Sequence, residues 1–161
     1  MRKTLVASFG IILAAVVLAA CGGGLRFTER DDDARGFHPK GIVVLPVDAG
    51  AYSQAKDAAE AVLAQVLTEK RWFDRILAGK GMTDRLAADE AFRKDVTDYT
   101  DKLRTVNFSD PALSEAIGKA AQAEALLAAT IEFWFYTKEN DKKIAKVGIA
   151  VQMIEIGRAH V

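Results

Sequence analysis

The residue with the most definite chemistry is Cys21, the single cysteine of a 161-residue chain. A lone thiol cannot close a disulfide within the chain, and it excludes a cysteine-built zinc site or a cysteine nucleophile in the folded part. What is left for it is to accept a covalent group. The other chemistry-bearing residues are scattered. Asp31, Asp32 and Asp33, with His38 nearby, are of metal-ligating types. They lack the alternating ligands and the glycine of a calcium loop, so a solvated charge run is the reading and no metal site is expected. Asp48 follows an apolar run, where α/β folds often keep functional residues, but aspartate in that position is also a turn former. No G-x-S-x-G, H-E-x-x-H, P-loop or dinucleotide fingerprint is present, and the many carboxylates single out no pair for hydrolysis. No catalytic residues are assigned, and the chain is not expected to be an enzyme.

The N-terminus gives Cys21 its context. Arg2 and Lys3 precede an apolar stretch from Leu5 to Ala20, broken only by Ser8, in the order a secretory signal requires. A spanning helix needs roughly 20 apolar residues. This run is shorter and stops at Gly22-Gly23-Gly24, so residues 1–20 are expected to be a cleavable signal. Leu18-Ala19-Ala20-Cys21 resembles the lipobox of bacterial lipoproteins, in which an aliphatic and two small residues precede the cysteine. The resemblance implies diacylglycerol on the Cys21 thiol, cleavage before it and acylation of the new amine. The only cofactor expected is therefore covalent lipid on Cys21, and several acyl chains anchor stably where one would be marginal. Gly22, rather than aspartate, follows the cysteine, which resembles outer-membrane sorting. The expected location is the bacterial envelope, on the outer membrane and facing the periplasm. At the other end, Ile156 to Val161 resembles a translated short-read sequencing adapter, whose next triplet is a stop. That resemblance implies a non-native tail over 156–161, no function for His160, and a native chain that continues past Glu155.

The chain balances 22 basic against 22 acidic residues; without Arg2, Lys3 and Arg158 the basic count falls to 19, a net of −3. Such a surface gives no electrostatic case for nucleic acid or anionic lipid as a partner. Residues 21–39 are glycine-rich and then charged, which predicts a flexible tether behind the lipidated cysteine. Residues 40–155 suffice for one domain with a modest core.

Within that domain, Gly41-Ile-Val-Val-Leu-Pro-Val47 predicts a buried strand with Pro46 at its end. Ser53 is expected to cap a helix whose Ala55, Ala58, Ala59, Val62, Leu63, Val66 and Leu67 pack on a sheet. Trp72 to Leu77 predicts a second, parallel strand. After a break at Gly79-Lys80-Gly81, a polar helix from Thr83 to about Arg104 carries Ala88, Phe92, Val96, Tyr99 and Leu103 as a narrow stripe. Asp110-Pro111 starts another helix, ending near Ala123. Leu126–Thr137 and Lys143–Glu155 then form a hairpin with period-two alternation. Ile131, Phe133 and Phe135 fall on one side of it, with Glu132, Trp134 and Tyr136 on the other. The fold class is therefore α/β, with α+β as its variant: a mixed sheet of about four strands in the order β-α-β-α-α-β-β, helices packed on it, and incomplete at the C-terminus.

This order resembles the domain shared by the curli secretion lipoprotein CsgG, the N-terminal domain of TolB and the penicillin-binding-protein activator LpoB. The residues that carry the likeness are Gly41–Val47, the alanine-rich helix leading to Trp72-Phe73, and Ala123-Glu124-Ala125-Leu126-Leu127. Val47 and Asp48 stand where that family has phenylalanine. The resemblance covers about residues 41–155 and implies a scaffold for secretion, cell-wall or other envelope complexes, with no catalytic residue to carry over. The leading expectation is a lipid-tethered module that binds another envelope protein or itself. The rival is a domain for a small ligand or glycan, or a hydrolase with dispersed carboxylates. Trp134 and Tyr136 are the candidate interaction residues, since aromatics are enriched at binding hot spots. The sequence leaves open a second placement, as core beneath a covering helix.

Overall fold

A computed structural model describes Thr28, Glu29 and residues 32–159, apart from the side chains of Asp32, Asp33 and Glu139. The signal region, Cys21 and His160 lie outside the described residues. The chain divides into two units, 1–36 and 37–161. Of the first, a short 3-10 turn over Asp32–Gly36 is described. The second is the folded domain and begins at Phe37, whose half-buried ring packs on the sheet.

Four strands form one mixed sheet in the order β2-β1-β3-β4. They are β1 (Gly41–Val44), β2 (Arg75–Leu77), β3 (Ala125–Glu139) and β4 (Lys142–Glu155). β1 runs parallel to both neighbours, and β4 pairs antiparallel with β3. Among the described residues the α-helices are α1 (Lys56–Lys70), α2 (Gly79–Ala88), α3 (Glu90–Val106) and α4 (Pro111–Ala121). The expected α/β class and four-stranded mixed sheet are present, with three helices rather than two between β2 and β3.

β1 shows why its run of β-branched residues makes a strand. Ile42 and Val44 point to one face and Val43 and Leu45 to the other, and all four are at most 4 % exposed. A strand buried on both faces reads as continuous apolar sequence, and each such side chain contributes about 1.5–3 kcal/mol by leaving water. Pro46 lies just beyond the strand. Leu45 N donates to Leu127 O and Asp48 N to Ala129 O (both 2.9 Å), so the residue without an N–H falls between two donors.

Among the described residues α1 is the one helix on one face of the sheet, with Phe37 and Tyr52 packed beside it. Ala55, just before α1, and the helix's own Ala59 and Leu67 are buried, the first two with Val47, Ala129 and Ile131 and the last with Ile42, Val44, Ala125 and Leu127. The opposite face is covered by α2, α3 and α4, whose Met82, Phe92, Val96, Tyr99 and Ile117 enclose Val43, Leu45, Leu126 and Ile154.

Several boundaries differ from the expectation, each for a local reason. Ser53 does not cap α1; it opens a 3-10 turn, Ser53–Ala55, and α1 starts with no side-chain cap. The second strand shrinks to three residues because Arg71 adopts a left-handed conformation (φ 52°) and throws Trp72 outward, 66 % exposed. Gly79-Lys80-Gly81 begins a helix rather than breaking the chain. The long polar helix divides at Asp89, which is extended and accepts from Phe92 N at 3.0 Å as the N-cap of α3. Phe92, Val96 and Tyr99 of the expected stripe are buried, whereas Ala88 is exposed before the break.

Asp110 caps α4 as its sequence signature requires, accepting from Leu113 N at 3.1 Å with Pro111 at the first turn. Behind this cap is a small polar relay. The buried Ser109 hydroxyl donates to Arg158 O (3.2 Å), so Tyr99, 2.9 Å away, is left to donate to Ser109. Burial pushes the Tyr99 phenol up. Ser114 accepts from Gly157 N at 3.0 Å, so residues 157 and 158 close the polar groups over the start of α4.

Lys102 pairs with Asp110, and this bond, followed by that from Leu113 N, holds the Asp110 carboxyl below the usual carboxylate range. A carboxyl depressed on folding stabilises the native state above its unfolded pKa, and that contribution is lost as pH falls through the folded value. Asp110→Ala is expected to lower the denaturation midpoint at neutral pH, as the loss of an N-cap does. Asp110→Asn, which still caps, should keep most of the stability while flattening its loss in acid. Denaturant titrations of the three proteins at neutral and acid pH check both outcomes.

Candidate interaction surface

The hairpin of β3 and β4 is the longest feature of the domain, with strands of 15 and 14 residues. Asn140 and Asp141, both left-handed at φ 50° and 61°, form its two-residue turn, the geometry that matches the twist of the flanking strands. β1 accompanies β3 only as far as Leu127, with one further bridge between Asp48 and Thr130. Beyond Ile131 the hairpin runs on without a third strand.

A bulge lies where the hairpin leaves the body. Ile131 faces Ile149 and Phe133 faces Gly148, so Glu132 is an extra residue. One inserted residue exchanges the faces of everything after it. The expected grouping of Ile131 with Phe133 and Phe135 is therefore corrected. Ile131, Trp134 and Tyr136 share the α1 side, opposite Ile149, Val147 and Ala145, while Phe133 and Phe135 turn to the other side.

The two aromatic candidates take different positions. Trp134 is half-buried and packs with Ile149, Tyr52 and Leu63 on the cluster of Val47, Ala49, Ala55, Ala59, Ala129 and Ile131. Tyr136, two residues nearer the tip, is 76 % exposed. The structure brings them onto one face and gives only Tyr136 a free surface.

Other apolar residues join Tyr136 there, and sequence reasoning did not single them out. On β4, Val147, Val151 and Met153 are 43 %, 52 % and 44 % exposed. On α1, Val62 and Val66 were expected against the sheet but are exposed, as is Ala58. These three occupy the flank of α1 opposite Lys56, Glu60 and Ala64. The latter flank borders α2: Gly79 approaches Ala64, and Lys56 and Glu60 line a cleft with Thr83 and Leu86. Given the strand order, the Val62–Val66 flank is turned toward β4. The cause is width. A helix is about 10 Å across and strands lie about 4.8 Å apart, so one helix covers about two strands. α1 lies over β1 and β3; on β4 Ile149 reaches the cluster beneath it, and Val147, Val151 and Met153 are left bare. On its other face the same strand is covered at its end, where Ile154 is buried.

On that other face Phe133 lies over Gly148, and its ring meets Phe135 at 5.7 Å between centroids and 44° of tilt. A Cβ at position 148 would come within 2.3 Å of the Phe133 ring. Glycine here is a requirement of packing.

The remaining candidates organise less. The cleft at the end of β1 has a volume of about 310 Å³ and is bordered by Pro46, Lys56, Asp57, Glu60, Thr83 and Leu86, among others. Glu60 accepts from Val47 N at 3.0 Å and is 3.9 Å from Lys56, so its carboxylate holds the chain after β1. Asp48 accepts from Gly50 N at 3.0 Å, and its backbone bonds to Ala129 and Ile131. It is a turn residue. His38 is exposed. Among the described residues no three His, Cys, Asp or Glu side chains converge as a metal site, and no helix is long and apolar enough to cross a membrane.

Gly148→Ala is expected to destabilise the protein by about 1–3 kcal/mol, the usual cost of overpacking. Combined with Phe133→Leu it should cost less than the sum of the two single changes. Chemical denaturation of the four-protein cycle measures the coupling.

No family model, curated protein sequence or solved structure matches this chain, so its surface is read from its own chemistry.

Proposed function

We propose that this is a lipid-anchored protein of the bacterial envelope whose α/β domain binds a protein partner through the bare face of the β3–β4 hairpin. The observation that carries the reading is the apolar surface formed by Tyr136, Val147, Val151 and Met153 beside Val62 and Val66 of α1. Contiguous exposed apolar surface on a folded domain marks an interaction site, and a tyrosine at its end has the amphipathic character of a hot-spot residue. The lipobox-like Leu18–Cys21 supports the anchor, with covalent lipid on Cys21 as the only cofactor. Gly22 supports outer-membrane placement facing the periplasm. The net charge near zero supports a protein rather than nucleic acid as partner. Assembly rather than catalysis also fits the likeness of the β1 and β3 segments to the CsgG, TolB and LpoB class.

Cys21→Ser is expected to abolish labelling by a palmitate analogue and to release the protein from membranes; persistent labelling would remove the anchor. Tyr136→Ala should leave stability within about 0.5 kcal/mol, as for exposed positions. It should weaken partner binding about tenfold or more if Tyr136 is a hot spot. In vivo photo-crosslinking from position 136, compared with exposed Thr97 on the helical side, reads the contact directly. Equal crosslinking from both sites argues against the face.

A further inference from the structure

β4 is an edge of the sheet, so one side of its backbone from Lys142 to Glu155 has no strand beside it among the described residues. A long flat edge is a template for another strand, and proteins blunt such edges with lysine, proline or bulges. Here the blunting is confined to one end. Lys142, Lys143 and Lys146 open the strand, while Val147 to Ile154 holds no charge and no proline. The strand closes on Glu155, which is opposite in charge to its beginning.

An antiparallel neighbour reverses a strand end for end. A second copy of β4 would therefore bring each basic beginning against the other's acidic end. We propose that the protein pairs with a second copy of itself through β4, antiparallel, in the register that sets Ile149 against its own counterpart. The proposal rests on the reading of the hairpin face as a binding surface and names the partner of that surface.

Symmetry and charge together select the register. A two-fold axis normal to the sheet makes facing residues share a face. Centring on Ile149 then pairs the strand from Lys143 to Glu155, all of β4 but its first residue. The same register sets Lys143 against Glu155, Ala145 against Met153, and Val147 against Val151. A shift of the centre by one residue would set Lys143 against Met153, or Glu155 against Ala145. Glu155 binds Arg158 through Oε2 at 3.1 Å, and a carboxylate accepts on both oxygens. Each exposed apolar side chain of β4 gains a neighbour on its own face, the unit of sheet stabilisation. The joined sheet would place the Val62 and Val66 flanks of the two α1 helices on either side of a common apolar floor.

Sedimentation of the full chain in detergent micelles is expected to report a dimer of the protein. Lys143→Glu should weaken dimerisation about tenfold, because symmetry sets like charges opposite one another twice. Adding Glu155→Lys should restore it. A monomer at every concentration tested overturns the proposal, and so does a dimer indifferent to Lys143→Glu or not restored by the double reversal. Crosslinking from position 136 to another protein in a chain that sediments as a monomer removes self-pairing alone and leaves the binding face. Charge-reversal rescue of a dimer whose Cys21 carries no lipid supports self-pairing and removes the anchor instead.

Discussion

Every layer of this domain is built against β1. Its four consecutive apolar side chains are buried alternately beneath one helix and beneath three, and its backbone joins β2 on one side and β3 on the other. A strand in that position tolerates no polar residue on either face, which is why Gly41–Leu45 contains none. It also fixes where the chain must turn. Pro46 ends the regular ladder, Glu60 reaches from α1 to the Val47 amide, and Asp48 bridges to β3 before its own side chain closes a turn. The carboxylates nearest the sheet's end are thereby engaged in holding the chain.

The unequal covering of the sheet decides the rest. Three helices on one face are wide enough to bury Ile154 at the edge strand, and one helix on the other is not. The strand is thus buried at Ile154 on one face and open at Val147, Val151 and Met153 on the other, and those open residues are apolar. Edge strands with one wet face usually carry polar residues there. Val147, Val151 and Met153 depart from that pattern, and Val62 and Val66 depart from it in the same direction across the gap. Two elements making the same departure toward one space argue for something that fills the space.

Much of this was legible in the residues because the signals are local. The β-branched run of β1, the Asp110-Pro111 start of α4 and the two alternating arms of the hairpin each point to their own structure without reference to the remainder. What stayed hidden depends on counting across the fold. The bulge at Glu132 leaves the pattern of residue types intact on paper while exchanging the faces of Trp134 and Phe133 relative to Ile131. The break at Asp89 carries neither glycine nor proline; only its carboxylate, three residues before Phe92, hints at a cap. Val62 and Val66 continue the helical spacing of Ala55 and Ala59, and nothing local says that the sheet beneath ends before reaching them. Trp134 and Tyr136 lie two residues apart, which makes them one candidate site on paper. The body of the domain reaches the first and stops short of the second.

The proposed anchor and the proposed edge pairing also bear on each other physically. An uncharged stretch of eight residues, Val147 to Ile154, flanked by two symmetric charge pairs offers modest affinity in dilute solution, since association costs several kcal/mol of translational and rotational freedom. Lipid on Cys21 would confine the domains to one surface, and a tether ending before Phe37 would let them rotate into the two-fold arrangement. Confinement raises effective concentration without any new contact. It also reverses the argument against an exposed edge: a strand that invites indiscriminate pairing in a free protein becomes selective when the neighbours within reach are copies on the same membrane. The lysines at one end then discriminate as well, because a parallel or shifted neighbour would meet them with apolar residues or with like charge. On this reading, the placement of Lys143 and Glu155 at opposite ends of β4 determines which pairing the anchored protein can make.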